Sequence, residues 1–119
     1  MSFPYSFATV NTTNLQRVKQ GLTNLESIVA LNTAAYAIYV KLYWFLPTAS
    51  VASPTVGTTV PDLRFQIPAL GTATGGLAFD LYPPVQKAGE LWVAVTKLPA
   101  DSDTTVVVAG DGLITLMVD

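Results

Sequence analysis

Few side chains in this sequence could take part in chemistry, and their types and spacing assemble no catalytic set. The chain has 119 residues, with neither histidine nor cysteine. This excludes imidazole bases, thiolate nucleophiles, disulfide bonds and the usual kinds of zinc site. Asp80 and Glu90 lie near the middle strands, and a glycosidase needs such a carboxylate pair across a cleft. Nothing in their spacing favours that arrangement, so we interpret both as exposed strand residues and predict neither an enzyme nor a cofactor.

Two further segments contain residue types that occur in ligand-binding loops. The run from Asp101 to Thr104, with Asp111 close behind, could offer oxygen atoms to calcium. Calcium takes roughly six to eight oxygen ligands, and an EF-hand loop ends in a bidentate glutamate that is missing here. We therefore favour a solvated loop in which aspartate and serine side chains close turns on their own backbone. The glycine-rich segment 71–76 lacks the lysine of a phosphate-binding loop and is interpreted as a flexible hairpin.

Aromatic residues cluster around one segment of the chain, at Tyr36, Tyr39, Tyr43, Trp44 and Phe45. Such a cluster could stack on a sugar or a base, but aromatic side chains on strands more often form a core or a subunit interface. Alternation from Ile38 onwards places bulky side chains on both faces of the strand. We predict that the Ile38 face lies in the core and that the other face is an interface or a second layer. Tyr39, Tyr43 and Phe45 are the candidate self-association residues.

Composition and alternation both predict an all-β protein. Half of the residues are hydrophobic, only 12% are charged, and the fifteen threonines outnumber the charged residues. Apolar residues alternate with others in Leu63–Ile67, Leu77–Leu81 and Leu91–Val95, and two more short strands are predicted at Val106–Ala109 and Leu113–Val118. Turn signals separate these segments. We predict a single antiparallel β-sandwich, jelly-roll-like, of about seven to eight strands.

The N-terminal third permits two interpretations. Apolar residues from Leu15 to Ile28 are spaced as on one face of a helix. Gly21 and several β-favouring or turn-forming residues argue instead for strands at Gln16–Lys19 and Thr23–Leu31, and we favour the strands.

The first residues form a segment with its own pattern, which we predict to be an N-terminal arm (residues 1–12) outside a sandwich domain of residues 13–119. Phe3, Tyr5 and Phe7 alternate with small residues and no charge, a pattern that suits the addition of a strand to a sheet edge. Because Pro4 lacks an N–H group, a central strand position is excluded. The arm could pack on an edge strand of its own subunit or on another molecule, and we favour the intermolecular choice because termini are usually loose unless they are tied down. The net charge of −2 does not predict nucleic acid as a partner. No apolar run is long enough to span a membrane, so a membrane partner is not predicted either.

Several motifs, in order along the chain, resemble a family of small virion proteins of tailed bacteriophages. They are listed here as they stand: Asn32-Thr33-Ala34-Ala35, the strand YVKLYWF at 39–45, PTVGTTVP at 54–61, Gly75-Gly76-Leu77-Ala78-Phe79, the strand 92–96, and Asp101-Ser102-Asp103-Thr104-Thr105 followed by Gly110-Asp111. The match covers residues 12 to 118. The resemblance implies a β-sandwich that sits on the phage particle as a capsid decoration (cement) protein or a head fibre, without catalysis.

We therefore expect a structural virion protein that is made in the bacterial host cytoplasm and bound at the capsid surface. Its partner would be the major capsid protein, it would form a homo-oligomer, most simply a trimer, and Phe3, Tyr5 and Phe7 would be its capsid-binding residues. The alternative is a receptor- or carbohydrate-binding module of a tail or head fibre. The number of copies per virion separates the two, since decoration requires many copies and a fibre tip few.

Overall fold

A computed structural model describes residues 2–70 and 75–119, and its strands form two antiparallel sheets of four. The strands are β1 (Phe3–Ala8), β2 (Gln16–Lys19), β3 (Thr23–Asn32), β4 (Ile38–Phe45), β5 (Leu63–Ile67), β6 (Gly76–Lys87), β7 (Glu90–Thr96) and β8 (Gly112–Val118). The strand orders are β1-β8-β3-β6 and β2-β7-β4-β5. This winding of eight strands between two facing sheets is a jelly roll, so the predicted fold class is confirmed.

The core lies between the two sheets and is built by the alternation seen in the sequence. Ile38, Val40 and Leu42 of β4 are fully buried, and they face the buried side chains of the other sheet. The inward side chains of the first sheet come mainly from β3 and β8: Leu25, Ile28, Ala30, Ile114, Leu116 and Val118. Because no described residue belongs to a helix, none of the described segments is a helix able to span a membrane.

The N-terminal third consists of strands, as favoured, and the structure explains the helix-like spacing there. The pairing register of β3 shifts between Leu25 and Ser27 against both of its neighbours. This β-bulge inserts one extra residue, so that Leu25 and Ile28 both face the core although they are three residues apart. Leu22, which completes the helical pattern, is 59% exposed and contributes nothing to that core.

The strand predicted at Val106–Ala109 is wrong. The segment is irregular, although Val107 is fully buried in the core. Its backbone groups bond to side chains of other loops instead of a neighbouring strand: Val108 N–H donates to Tyr36 Oη (3.1 Å) and Ala109 N–H to Asn11 Oδ1 (2.7 Å). The predicted hairpin at 71–76 lies mostly outside the described residues.

The N-terminal segment pairs with a strand of its own chain, so it belongs to the sandwich and occupies the intramolecular one of the places considered for it, while capsid binding by Phe3, Tyr5 and Phe7 stays a prediction. Phe3–Ala8 is an edge strand that pairs with β8 of its own chain, from Phe3 opposite Val118 to Ala8 opposite Leu113. Tyr5 and Phe7 pack partly buried against the core, and Tyr5 Oη donates to Gln16 Oε1 at 2.6 Å. Pairing within the chain is favoured because it covers both these aromatic side chains and the open edge of β8. Pro4 is tolerated because β1 is an edge strand.

Candidate interaction surface

The strand face that carries the predicted self-association residues is covered by loops of the same chain. Lys41 is fully buried and Tyr43 only 1% exposed, while Tyr39 and Phe45 are partly buried. Lys41 contacts the long connection 97–111, and the long connection 46–62 lies against that connection. The Tyr43 side chain is therefore too buried to contact a second copy. Of the two predicted roles for this face, interface or second layer, Tyr43 fits the second layer.

Two close contacts bind these loops to the sheet and to each other. Lys41 Nζ donates to the Ala100 carbonyl at 2.6 Å. Gly57 lies so close to the other loop that an added Cβ atom would be 2.7 Å from the Thr104 side chain. Burial lowers the pKa of Lys41, although Asp103 and Asp101 oppose the shift. The layer is thus a small polar core with one buried cation.

The acidic loop that could have offered oxygens to calcium uses its carboxylates in contacts with the protein. Asp101 pairs with Arg64 (Nη2 to Oδ2, 2.7 Å), and this hydrogen bond lowers the pKa of Asp101. Asp103 accepts hydrogen bonds from the Leu98 N–H and from Thr105 Oγ1, and Asp111 accepts one from a tyrosine hydroxyl. These contacts fit the solvated-loop interpretation. Within residues 2–70 and 75–119, no group of three or more acidic, histidine or cysteine side chains could hold a metal ion.

The two candidate carboxylates of the glycosidase alternative lie on different strands in different sheets. Asp80 is exposed on β6, as predicted. Glu90 begins β7 and is only 8% exposed, so its predicted exposure is wrong. It is buried because Arg17 of the neighbouring strand provides a cation, with Nη1 3.4 Å from Glu90 Oε2.

The outer surface of the first sheet carries few charges, and we name it the apolar face. Paired residues of an antiparallel sheet share a face, so the register gives three rows across β1, β8, β3 and β6. The rows are Ala8-Leu113-Leu31-Gly76, Ser6-Thr115-Val29-Ala78 and Pro4-Met117-Ser27-Asp80. The only charged residue of the twelve is Asp80, at a corner.

Large side chains of the apolar face are left in solvent. Val29 is 47%, Leu31 53% and Leu113 46% exposed. With strands about 4.8 Å apart and rows about 6.8 Å apart, the face measures roughly 20 × 20 Å, or about 400 Å². The largest apolar patch of a typical monomer has about this size and is often functional.

The sequence also contains a signal for this face. The runs Ile28-Val29-Ala30-Leu31 and Leu113 to Met117 place apolar side chains on both sides of their strands. Strands with such runs are covered on both faces. β4 shows the same pattern, and loops of the chain cover its second face. The second faces of β3 and β8 are left bare.

Comparison with known proteins finds likeness only at the level of fold. No family model matches the chain, and no curated protein does. Among solved structures, it is similar to a chain in the X-ray structure of tomato aspermy virus, with a TM-score of 0.53 and 12% sequence identity. The alignment covers 99% of this chain and 75% of the viral one. The likeness therefore concerns the whole sandwich.

Proposed function

We propose that this chain is a structural protein of a virus particle and that its apolar face is the surface by which it attaches. The observation that carries the proposal is the outer face of a jelly-roll sandwich, where Asp80 is the one charged residue of the twelve and Val29, Leu31 and Leu113 are about half exposed. The likeness of the fold to a chain of a plant virus supports a virion role. Within that role, the motifs that resemble small virion proteins of tailed phages favour a capsid decoration protein that binds and stabilises the major capsid protein shell.

The size of the apolar face favours binding in many copies. A standard protein interface buries about 800 Å² on each partner, roughly twice the area of this face. One copy on one capsid subunit would bind weakly. Association into a trimer on a repeating shell would multiply such contacts and raise the effective affinity by about 10² to 10⁴.

Binding to shells tests the proposal directly. The purified chain is mixed with shells of the major capsid protein that lack it, and co-sedimentation gives an apparent affinity. Leu31→Asp and Val29→Asp should weaken binding at least about tenfold, because each would bury an unpaired carboxylate at the contact. The matched controls Leu98→Asp (53% exposed) and Val51→Asp (49% exposed) lie outside the apolar face and should bind like the parent chain. Equal binding by all four variants would refute the apolar face as the attachment surface.

A second candidate function, receptor or carbohydrate binding at a fibre tip, is favoured by one residue. Tyr82 is 97% exposed. It lies in an irregular part of β6. Leu25 pairs with Val85 and Ser27 with Asp80, so four residues of β6 lie opposite a single residue of β3. Exposed tyrosines that project in this way are frequent anchors in recognition. Quantitative mass spectrometry of purified virions separates the functions, since decoration requires many copies per particle and a fibre tip only a few.

A further inference from the structure

We propose that a recess at one end of the sandwich binds an aliphatic ammonium group, and that its natural occupant is a lysine side chain of a partner protein. The recess has a volume of about 400 Å³ and lies where the β2–β3 turn, the end of β4 and the β6–β7 turn meet. Its lining comprises Gln20, Gly21, Leu22, Leu46, Pro47, Ala88, Gly89 and Glu90. None of these residues belongs to the apolar face, so the two proposals stand or fall separately.

The shape of the recess depends on a close approach of two backbones. Gly89 has a φ of +115°, and a Cβ atom there would lie 2.7 Å from the carbonyl oxygen of Phe45. Only glycine fits both this conformation and this distance. The β6–β7 turn can therefore lie directly against the end of β4 and form a wall of the recess.

The walls are mostly apolar and open to solvent. Leu22 is 59% and Leu46 64% exposed, which is unusual for two leucines that adjoin a common recess. Together with Pro47 and Ala88 they offer contacts to a hydrocarbon stem of several carbons. The burial of such a stem would remove both leucines from water.

A single carboxylate supplies the polar contact of the recess. The Glu90 side chain is 10% exposed, and Oε2 accepts a long hydrogen bond of 3.4 Å from Arg17 Nη1. No residue in the described part of the chain donates a hydrogen bond to its Oε1. Glu90 lines the recess, so Oε1 is the acceptor that remains for an occupant.

This arrangement selects the charge and shape of the occupant. A carboxylate in an apolar surrounding favours a cation, and an anion would be repelled. A guanidinium pairs best with both carboxylate oxygens at once, but Arg17 already holds Oε2. A lone oxygen suits the compact ammonium group of lysine, whose four-carbon stem matches the apolar walls. The lysines of the neighbouring strands are engaged elsewhere, Lys87 with Asp62 at 2.9 Å and Lys19 with the Phe3 ring.

Titration of the full chain with n-butylammonium, followed by ¹H–¹⁵N NMR, tests the proposal. The neutral control is n-butanol, and ionic strength is held constant with sodium chloride. Saturable shifts should appear at the amides of Leu22, Gly89 and Glu90, and n-butylammonium should bind about tenfold more tightly than n-butanol. Equal affinities for the two compounds, or no saturable shift with n-butylammonium, would overturn the proposal.

Three variants separate the roles of the recess residues. Glu90→Gln should lower the affinity for n-butylammonium to that for n-butanol, and Leu46→Ser should weaken both. Arg17→Gln should raise the affinity for n-butylammonium severalfold, because it removes the competing cation from a position that is 45% exposed. A merely structural Arg17–Glu90 pair predicts no such gain, so an Arg17→Gln variant that binds no more tightly than the parent chain would also refute the assignment.

Discussion

The Tyr43 hydroxyl is sealed inside the protein without a hydrogen-bond partner in the described residues, and its removal should change how stability depends on pH. Burial raises the pKa of Tyr43 from 10.0 to about 12, and Asp101 adds to the shift while Arg64 opposes it. A group whose pKa is raised by folding contributes stability that is fully present below pH 10 and is lost as pH rises through its folded pKa. The linkage amounts to about 1 kcal/mol lost by pH 11 and about 3 kcal/mol in total.

Urea denaturation at pH 8 and pH 11 measures this effect in the parent chain and in Tyr43→Phe. The parent should lose about 1 kcal/mol more than the variant between the two pH values. At pH 8 the variant should be at least as stable as the parent, and up to about 2 kcal/mol more stable, because an unpaired buried hydroxyl costs roughly that much. Tyr82→Phe, at a residue that is 97% exposed, is the matched control and should behave like the parent. Equal losses in Tyr43→Phe and the parent would refute the raised pKa of Tyr43, and a less stable variant at pH 8 would show that the hydroxyl has a partner.

Two further substitutions and one deletion test the covered sheet, the recess and the edge strand. Burial lowers the pKa of Lys41, so the parent should gain stability as pH rises from that lowered pKa towards 10.5, and denaturation of Lys41→Met should show no such gain. Gly89→Ala should cost more than Gly110→Ala in thermal denaturation: both have positive φ, but only Gly89 lies against another backbone, and equal losses would contradict that contact. Deletion of residues 1–8 should unfold the chain or cost several kcal/mol, since partial burial of Tyr5 and Phe7 stabilises it by about 1–2 kcal/mol each. A circular dichroism melt like that of the parent would instead restore the separate arm.

Local patterns were sufficient to predict most strands because each strand's own alternation defines its inward side. β2 and β5 begin and end close to the predicted residues, and β4 has its Ile38 face in the core as expected. The pattern of Phe3, Tyr5 and Phe7 likewise indicated a strand. It could not indicate which β8 the strand would pair with, because a sheet edge of the same chain and one of a neighbour offer the same hydrogen bonds.

The sequence alone was less informative about which outer face would be bare. Both β3 and β4 carry bulky side chains on two sides, so alternation cannot distinguish them. The difference comes from tertiary structure, since the long connections 46–62 and 97–111 both adjoin strands of the second sheet. Connections of this length are uncommon without secondary structure of their own. Their length and position were the available signal that the second sheet would be the covered one.

One outer face of the sandwich is bare and the other is covered by loops. This difference determines which side of the molecule would face a shell. The sandwich is thin, with a shortest extent of 19 Å, so a copy that lies on its apolar face would present the covered sheet outwards. Arg64 and Asp101 form a salt bridge on that outer side, where water can still solvate both charges. The recess beside Glu90 lies at one end of the strands, so it would face sideways, towards an adjoining chain.

About 400 Å² of apolar face is too little for firm attachment by one copy. A sideways lysine contact between adjoining chains would couple neighbouring copies, so shell binding should rise more steeply with concentration in the parent chain than in Glu90→Gln. Identical binding curves would separate the recess from assembly without affecting the role of the apolar face.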